Sequence, residues 1–168
     1  MFPDHIRDLA ARLLAEYGLA GCSVATAESC TGGLIAGALT DIPGSSTVVD
    51  RGFVTYSNVA KSEMLGVPPS LIHAHGAVSP EVAVAMAVGA LAKSKADVAV
   101  AVTGVAGPGG GSPEKPVGRV YIATAVRRGA AKHKEYTFPG DREAVRLATV
   151  QAALERLRSA RPPDGGNR

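Results

Sequence analysis

Apolar positions recur with two different periods along this chain, and the period changes where the elements change. Over 3–17, Ile6, Leu9, Ala10, Leu13, Leu14 and Tyr17 fall at helical spacing, and Gly18 reads as the stop. Ser23-Val24-Ala25-Thr26-Ala27 is a run of small and β-branched residues that reads as a strand. Leu34-Ile35-Ala36-Gly37-Ala38-Leu39 returns to a helical pattern, from about Thr31 to the turn signal Asp41-Ile42-Pro43-Gly44. The stretch 46–56 is β-rich and predicts one bent strand or a pair, with Gly52 at the bend. Asn58 is read as the cap of a helix through Lys61 and Leu65 that Gly66 ends, and a short helix is expected over 69–75. Ser79-Pro80-Glu81 opens a long Ala/Val helix to about Ala92. Residues 97–103 read as a buried strand, 104–118 as a Gly/Pro loop, and 119–126 with 132–138 as a hairpin about Arg128-Gly129. Asp141 then caps a last helix to about Arg158.

Helices alternating with strands, plus one hairpin, predict an α/β fold: a three-layer α/β/α sandwich with a mixed, mostly parallel sheet. The 168 residues suit one domain over 1–160, followed by a polar tail at 161–168 expected to be disordered. Aromatic residues are 4% and Trp is absent, so the core must be built from Ala, Val, Leu and Ile. Two cysteines, Cys22 and Cys30, make neither a disulfide framework nor a zinc site, and a cytoplasmic location is expected. No apolar run reaches the roughly 20 residues that span a bilayer.

The net charge of +3 is uneven. Residues 127–168 hold ten Lys/Arg against five Asp/Glu, so +5, which leaves −2 for the rest. The basic residues alternate with acids on a helix face and no stacking aromatics interleave them, so nucleic acid is not an expected partner.

The chemistry concentrates at Glu28-Ser29-Cys30-Thr31-Gly32-Gly33, where a strand turns into a helix. A hydroxyl beside unpaired backbone N–H groups suits acyl transfer. On local sequence alone, Ser29 or Thr31 reads first as a helix cap, since caps occur in nearly every helix. Cys30 is a rival nucleophile, at a helix start that would lower its pKa, or a small buried residue behind the turn. Ser29 needs a base, and none of His5, His73, His75 and His133 completes a Ser-His-Asp or zinc pattern. Lys61 is the other choice, if burial or a cationic neighbourhood keeps it neutral, with Tyr56 to relay or orient the proton. The loop from Thr103 through Gly104 and Gly107 follows a central strand, where α/β sheets bind ligands, but it lacks the Gly-Lys-Ser/Thr of a Walker loop. Arg142 stands at a helix start, a placement that suggests an anion.

These stretches together resemble the CinA C-terminal domain family: Thr26-Ala27-Glu28-Ser29-Cys30-Thr31-Gly32-Gly33, Gly44-Ser45-Ser46, Arg51-Gly52-Phe53-Val54-Thr55-Tyr56-Ser57-Asn58 with Lys61, His75-Gly76-Ala77-Val78-Ser79, Thr103-Gly104-Val105-Ala106-Gly107-Pro108 and Lys115-Pro116-Val117-Gly118. The likeness runs from about Ile6 to Leu157. It implies a nicotinamide-nucleotide amidohydrolase that hydrolyses the carboxamide of nicotinamide mononucleotide to nicotinate mononucleotide and ammonia. It further implies a Ser/Lys dyad on Ser29 and Lys61 with Tyr56 nearby, no metal or cofactor, no membrane, and a homo-oligomer. Substrate contacts are expected from Cys30, Thr31, Gly32, Gly33, Ser46, Thr103, Gly104, Gly107 and Arg142. The glycine-rich loop departs from the family pattern: Gly109 follows Pro108 where an acid is common. A non-catalytic nucleotide-binding module and an amidase for another small carboxamide remain open as alternatives.

Overall fold

The structure is a computed structural model and describes residues 1–162. The elements in chain order are α1 (Asp4–Ala20), β1 (Val24–Glu28), α2 (Leu34–Thr40), a 3-10 turn (Ser45–Thr47), β2 (Val49–Val54), α3 (Asn58–Leu65), α4 (Pro69–His75), α5 (Pro80–Ala92), β3 (Val98–Gly104), β4 (Arg119–Val126), β5 (Ala131–Thr137) and α6 (Arg142–Ala160). The strands form one mixed sheet in the order β2-β1-β3-β4-β5. β1 is parallel to both β2 and β3, and the β3–β4 and β4–β5 pairs are antiparallel. Four strands therefore point one way and β4 runs against them.

Helices cover both faces, and side-chain size separates the two. Successive strand residues point to opposite faces. Val24, Val98, Val100, Val102, Val120 and Ile122 face α1, α2 and α6. Ala25, Ala27, Ala99, Ala101, Ala123 and Ala125 face α5, with α3 and α4 beyond it. The first face is a Val/Ile core filled by Leu13, Ile35, Leu154 and Leu157; the second is an alanine floor on which α5 lies close.

Several boundaries differ from the sequence expectation, each for a local reason. α1 runs through Gly18 and stops at Gly21, which takes the left-handed φ of 64° that a helix end favours. Ser57, not Asn58, caps α3, its hydroxyl accepting from the Ala60 N–H. α2 starts at Leu34 rather than near Thr31, because residues 29–33 form a turn first. Within 46–56 there is one strand, preceded by the 3-10 turn. Its irregularity lies at Asp50, where the pairing steps from Val24↔Val49 to Ala25↔Arg51. Gly52 is instead a point of close approach: a Cβ there would stand 2.8 Å from Thr26 Oγ1 and 3.1 Å from the Ala36 Cβ. The end of the expected disordered tail, 163–168, lies outside the described residues. Among the described residues no helix is long and apolar enough to cross a membrane.

Candidate active site

Three neighbouring parallel strands, β2, β1 and β3, end on the same side of the sheet. Ser29 is the first residue beyond β1, and its N–H donates to the Val102 carbonyl at 3.1 Å, so β3 still holds it. The chain leaving β2 is anchored by the Thr55 N–H to the Glu28 carbonyl at 2.9 Å. Three residues later α3 begins, and its first turn carries Lys61 inward.

Lys61 is 1% exposed, one of the largest fully buried side chains in the protein. Its Nζ donates to Ser29 Oγ at 3.0 Å and to the Thr55 carbonyl at 2.9 Å. Among the described residues no carboxylate pairs with it. Burial therefore lowers the Lys61 pKa from the ordinary lysine value, since an ammonium loses its hydration there and gains no counter-ion.

Ser29 opens to a cleft of about 340 Å³. Cys30, Tyr56, Val78, Arg142 and the loop residues Gly104 to Gly107, Gly109 and Gly110 make the rest of its lining. The floor of the loop is backbone against backbone: a Cβ on Gly104 would lie 2.8 Å from the Arg119 carbonyl oxygen. Gly107 has a φ of 84°, and a Cβ there would lie 2.5 Å from Val117 Cγ1. Arg142 crosses the mouth, donating to the Gly107 carbonyl at 2.8 Å and to the Tyr56 hydroxyl at 3.2 Å. Tyr56 is 63% exposed. Its hydroxyl is engaged by Arg142, and it makes no hydrogen bond to Ser29 or Lys61. A proton passing from Ser29 to Lys61 thus has a direct 3.0 Å path and no relay.

The expected substrate contacts divide. Cys30, Gly104, Gly107 and Arg142 line the cleft. Thr103 lies beneath it with its hydroxyl donated to the Ala77 carbonyl at 2.8 Å. The Thr31 hydroxyl turns away and donates to Glu28 Oε1 at 2.6 Å. The Gly32 N–H is spent on the Ser29 carbonyl at 3.1 Å, and Gly33 caps α2 with a φ of 100°. Ser46 is not brought to the site at all. It sits exposed in the turn before the first residue of β2, a whole strand of about 20 Å from the end that carries Tyr56.

The expected low pKa of Cys30 is reversed. Its thiol is buried, and burial pushes it up to about 12, with the Glu28 carboxylate adding to the rise. A thiol in that range stays protonated near neutral pH, so it is a poor nucleophile.

Two residues that shape the turn are not among the expected site residues. Glu28 is 1% exposed and accepts from Thr31 Oγ1 at 2.6 Å, from the Ile35 N–H at 2.8 Å, from the Ala36 N–H at 3.0 Å and, more weakly, from Thr26 Oγ1 at 3.4 Å. Arg146, from α6, donates to the carbonyls of Cys30 and Thr31 at 3.2 and 3.0 Å. Glu28 lies inside a motif and could have been flagged as an acid on an otherwise apolar strand. Arg146 is 115 residues from its partner Thr31, and only the fold shows it.

The CinA C-terminal domain family matches residues 6–160. The nicotinamide-nucleotide amidohydrolase PncC of Escherichia coli (strain K12) is 53% identical over 137 residues, 82% of this chain and 83% of that protein. A CinA-like protein of Akkermansia muciniphila is 56% identical over 137 residues, and there the chain spans only 33% of the relative's length. The crystal structure of competence/damage inducible protein CihA from Agrobacterium tumefaciens superposes with a TM-score of 0.93 at 56% identity, covering 95% of this chain and 97% of that one.

Proposed function

Because this chain belongs to the CinA C-terminal domain family, we propose that it is a nicotinamide-nucleotide amidohydrolase that works through Ser29 and Lys61. The observation that carries the mechanism is the 3.0 Å contact between a buried, counter-ion-free lysine and a serine at the floor of a cleft. The substrate reading rests on likeness to the Escherichia coli amidohydrolase along most of both chains.

In this mechanism neutral Lys61 takes the Ser29 proton as Oγ attacks the carboxamide carbon. The oxyanion meets the N–H groups of Cys30 and Thr31, which among the described residues have no protein acceptor. The Lys61 ammonium returns its proton to the leaving nitrogen, the C–N bond breaks and ammonia departs. Water then gives a proton to Lys61 and its oxygen to the acyl carbon. The ester C–O bond breaks, Ser29 regains its proton, and nicotinate mononucleotide is released. Tyr56 walls the cleft, and Arg142 at the mouth offers its charge to the substrate phosphate. No step calls for a metal or cofactor. The same reading places the enzyme in the cytoplasm, in pyridine-nucleotide recycling and as a homo-oligomer, whose mass light scattering would measure.

The test is ammonia release by purified protein from nicotinamide mononucleotide, nicotinamide riboside, nicotinamide and glutamine. Turnover of the mononucleotide well above the others is expected, and Ser29→Ala should abolish it. Preference for another amide would replace the substrate. Binding of the mononucleotide without any release would make the chain a binding module.

A further inference from the structure

The turn 29–33 is gripped by charge on two sides. Glu28 gathers two hydroxyl groups and the first free N–H groups of α2. Arg146 gathers the carbonyls of Cys30 and Thr31. Neither side chain lines the cleft, so neither is placed to touch a substrate. Their effect runs through the backbone. A trans peptide points its N–H opposite to its carbonyl. With the Cys30 carbonyl drawn toward Arg146, the Thr31 N–H faces away from α6. The next N–H, of Gly32, closes the turn on the Ser29 carbonyl at 3.1 Å.

We infer that Glu28 and Arg146 are positioning residues for the nucleophile: together they fix the peptide planes of the turn, which aims Ser29 Oγ at Lys61 and keeps the Cys30 and Thr31 N–H groups unspent beside it. The inference rests on Ser29 being the nucleophile. A carboxylate suits the position because it only accepts. Oε1 takes Thr31 and Ile35, while Oε2 takes Ala36 and Thr26. An amide of the same shape must turn its NH₂ toward one of those N–H groups, whichever way it flips. Donor then meets donor in a buried place, and the turn has to move to separate them. Arg146 is equally specific, since its two donors reach two successive carbonyls and a lysine offers one point charge.

The test uses the whole protein and a fluorophosphonate probe. In that reaction the Ser29 Oγ–P bond forms, fluoride leaves and the serine proton passes to Lys61. The labelling rate reads the aim and activation of Ser29 without reference to any amide substrate. Glu28→Gln should lower that rate about 100-fold while the protein stays folded by circular dichroism, the scale expected of an ångström-sized misplacement. Arg146→Lys should lower it about tenfold, on the same physical ground. With nicotinamide mononucleotide the loss should fall on kcat and leave KM near the wild-type value. Folded variants that label as fast as wild type would overturn the inference. Should Glu28→Gln fail to fold, Arg146→Lys decides, since that side chain is only half-buried. Wild-type protein with no label on Ser29 would overturn both the nucleophile and its positioning. Protein that labels but ignores the mononucleotide would overturn only the substrate reading, and the labelling rates of the variants would still decide the role of Glu28 and Arg146.

Discussion

Glu28 and Lys61 are equally buried, each 1% exposed, and both adjoin Ser29, one along the chain and one across a 3.0 Å hydrogen bond. The carboxylate has four donors. The amine has two acceptors, one of them the serine hydroxyl. Neither has an ion-pair partner among the described residues. A buried charge with its full set of hydrogen bonds holds structure together; a buried charge left short is costly to keep and is free to change its protonation. On the proposed mechanism, the same degree of burial produces a clamp in one case and a base in the other.

The largest separation between the two should come from Lys61→Met. Turnover should fall by about 10³-fold or more, the scale of a lost general base. The melting temperature should hold or rise, because an apolar chain replaces a buried amine that lacks a counter-ion. Ammonia release and thermal unfolding of the same preparation check this. A Lys61→Met protein that unfolds would put the amine in the same structural class as Glu28. Conversely, Glu28→Gln should lower stability by about 2 kcal/mol, because two donors come to face each other in the core. Urea unfolding measures that difference.

Next in size is the pH response. Only neutral Lys61 can accept the serine proton, and burial lowers its pKa. kcat should therefore rise with pH through an apparent pKa below the ordinary lysine value of about 10.4. The sign for stability follows from the same shift. Between the folded and unfolded pKa values the unfolded chain binds the extra proton, so stability rises with pH across that window. The advantage of Lys61→Met should accordingly be greatest below the folded pKa and shrink toward pH 10 or so. A pH–rate profile beside melting curves at several pH values measures both. A flat profile would mean that Lys61 does not titrate in the reaction.

Smaller effects belong to the residues at the cleft wall. Tyr56→Phe should cost about tenfold or less, since the lost hydroxyl receives a bond from Arg142 and none from Lys61. A thousandfold loss would restore a relay through the phenol. Cys30→Ala should change kcat by no more than about twofold and lower stability by about 1 kcal/mol, for the small buried volume it vacates. Thiol alkylation that abolishes activity would contradict this.

Much of the fold was legible because each element carries its own punctuation. Ser79-Pro80-Glu81 and Asp141 mark the starts of α5 and α6, and two strand-forming runs flank Arg128-Gly129. Ser29 and Lys61 were legible as candidates because each follows closely on a strand, Ser29 in the turn after β1 and Lys61 in the first turn of the helix after β2. What failed needs the third dimension. Ser46 stands near Tyr56 in sequence, yet β2 intervenes and carries them to opposite ends of the sheet. The Cys30 pKa moves up because burial outweighs the turn's N–H groups, and burial depth is a property of what packs over the turn. Asn58 and Ser57 are both good caps, and the choice depends on where β2 releases the chain.

The alanine floor fixes a height. Six methyl groups under α5 let that helix lie close to the sheet. At Gly89 the same helix receives α3 so closely that a Cβ there would fall 2.0 Å from the Leu65 carbonyl oxygen. α3 carries Lys61, so the amine is tied to the sheet directly, through Ser29 and Thr55, and also by way of the close α5–α3 contact at Gly89. Two added carbons, as in Ala101→Val in the middle of the floor, thicken the lowest course of that packing. On the proposed mechanism, the bond that a proton must cross at Ser29 is then set in part by masonry, by how thinly the layers beside it are laid.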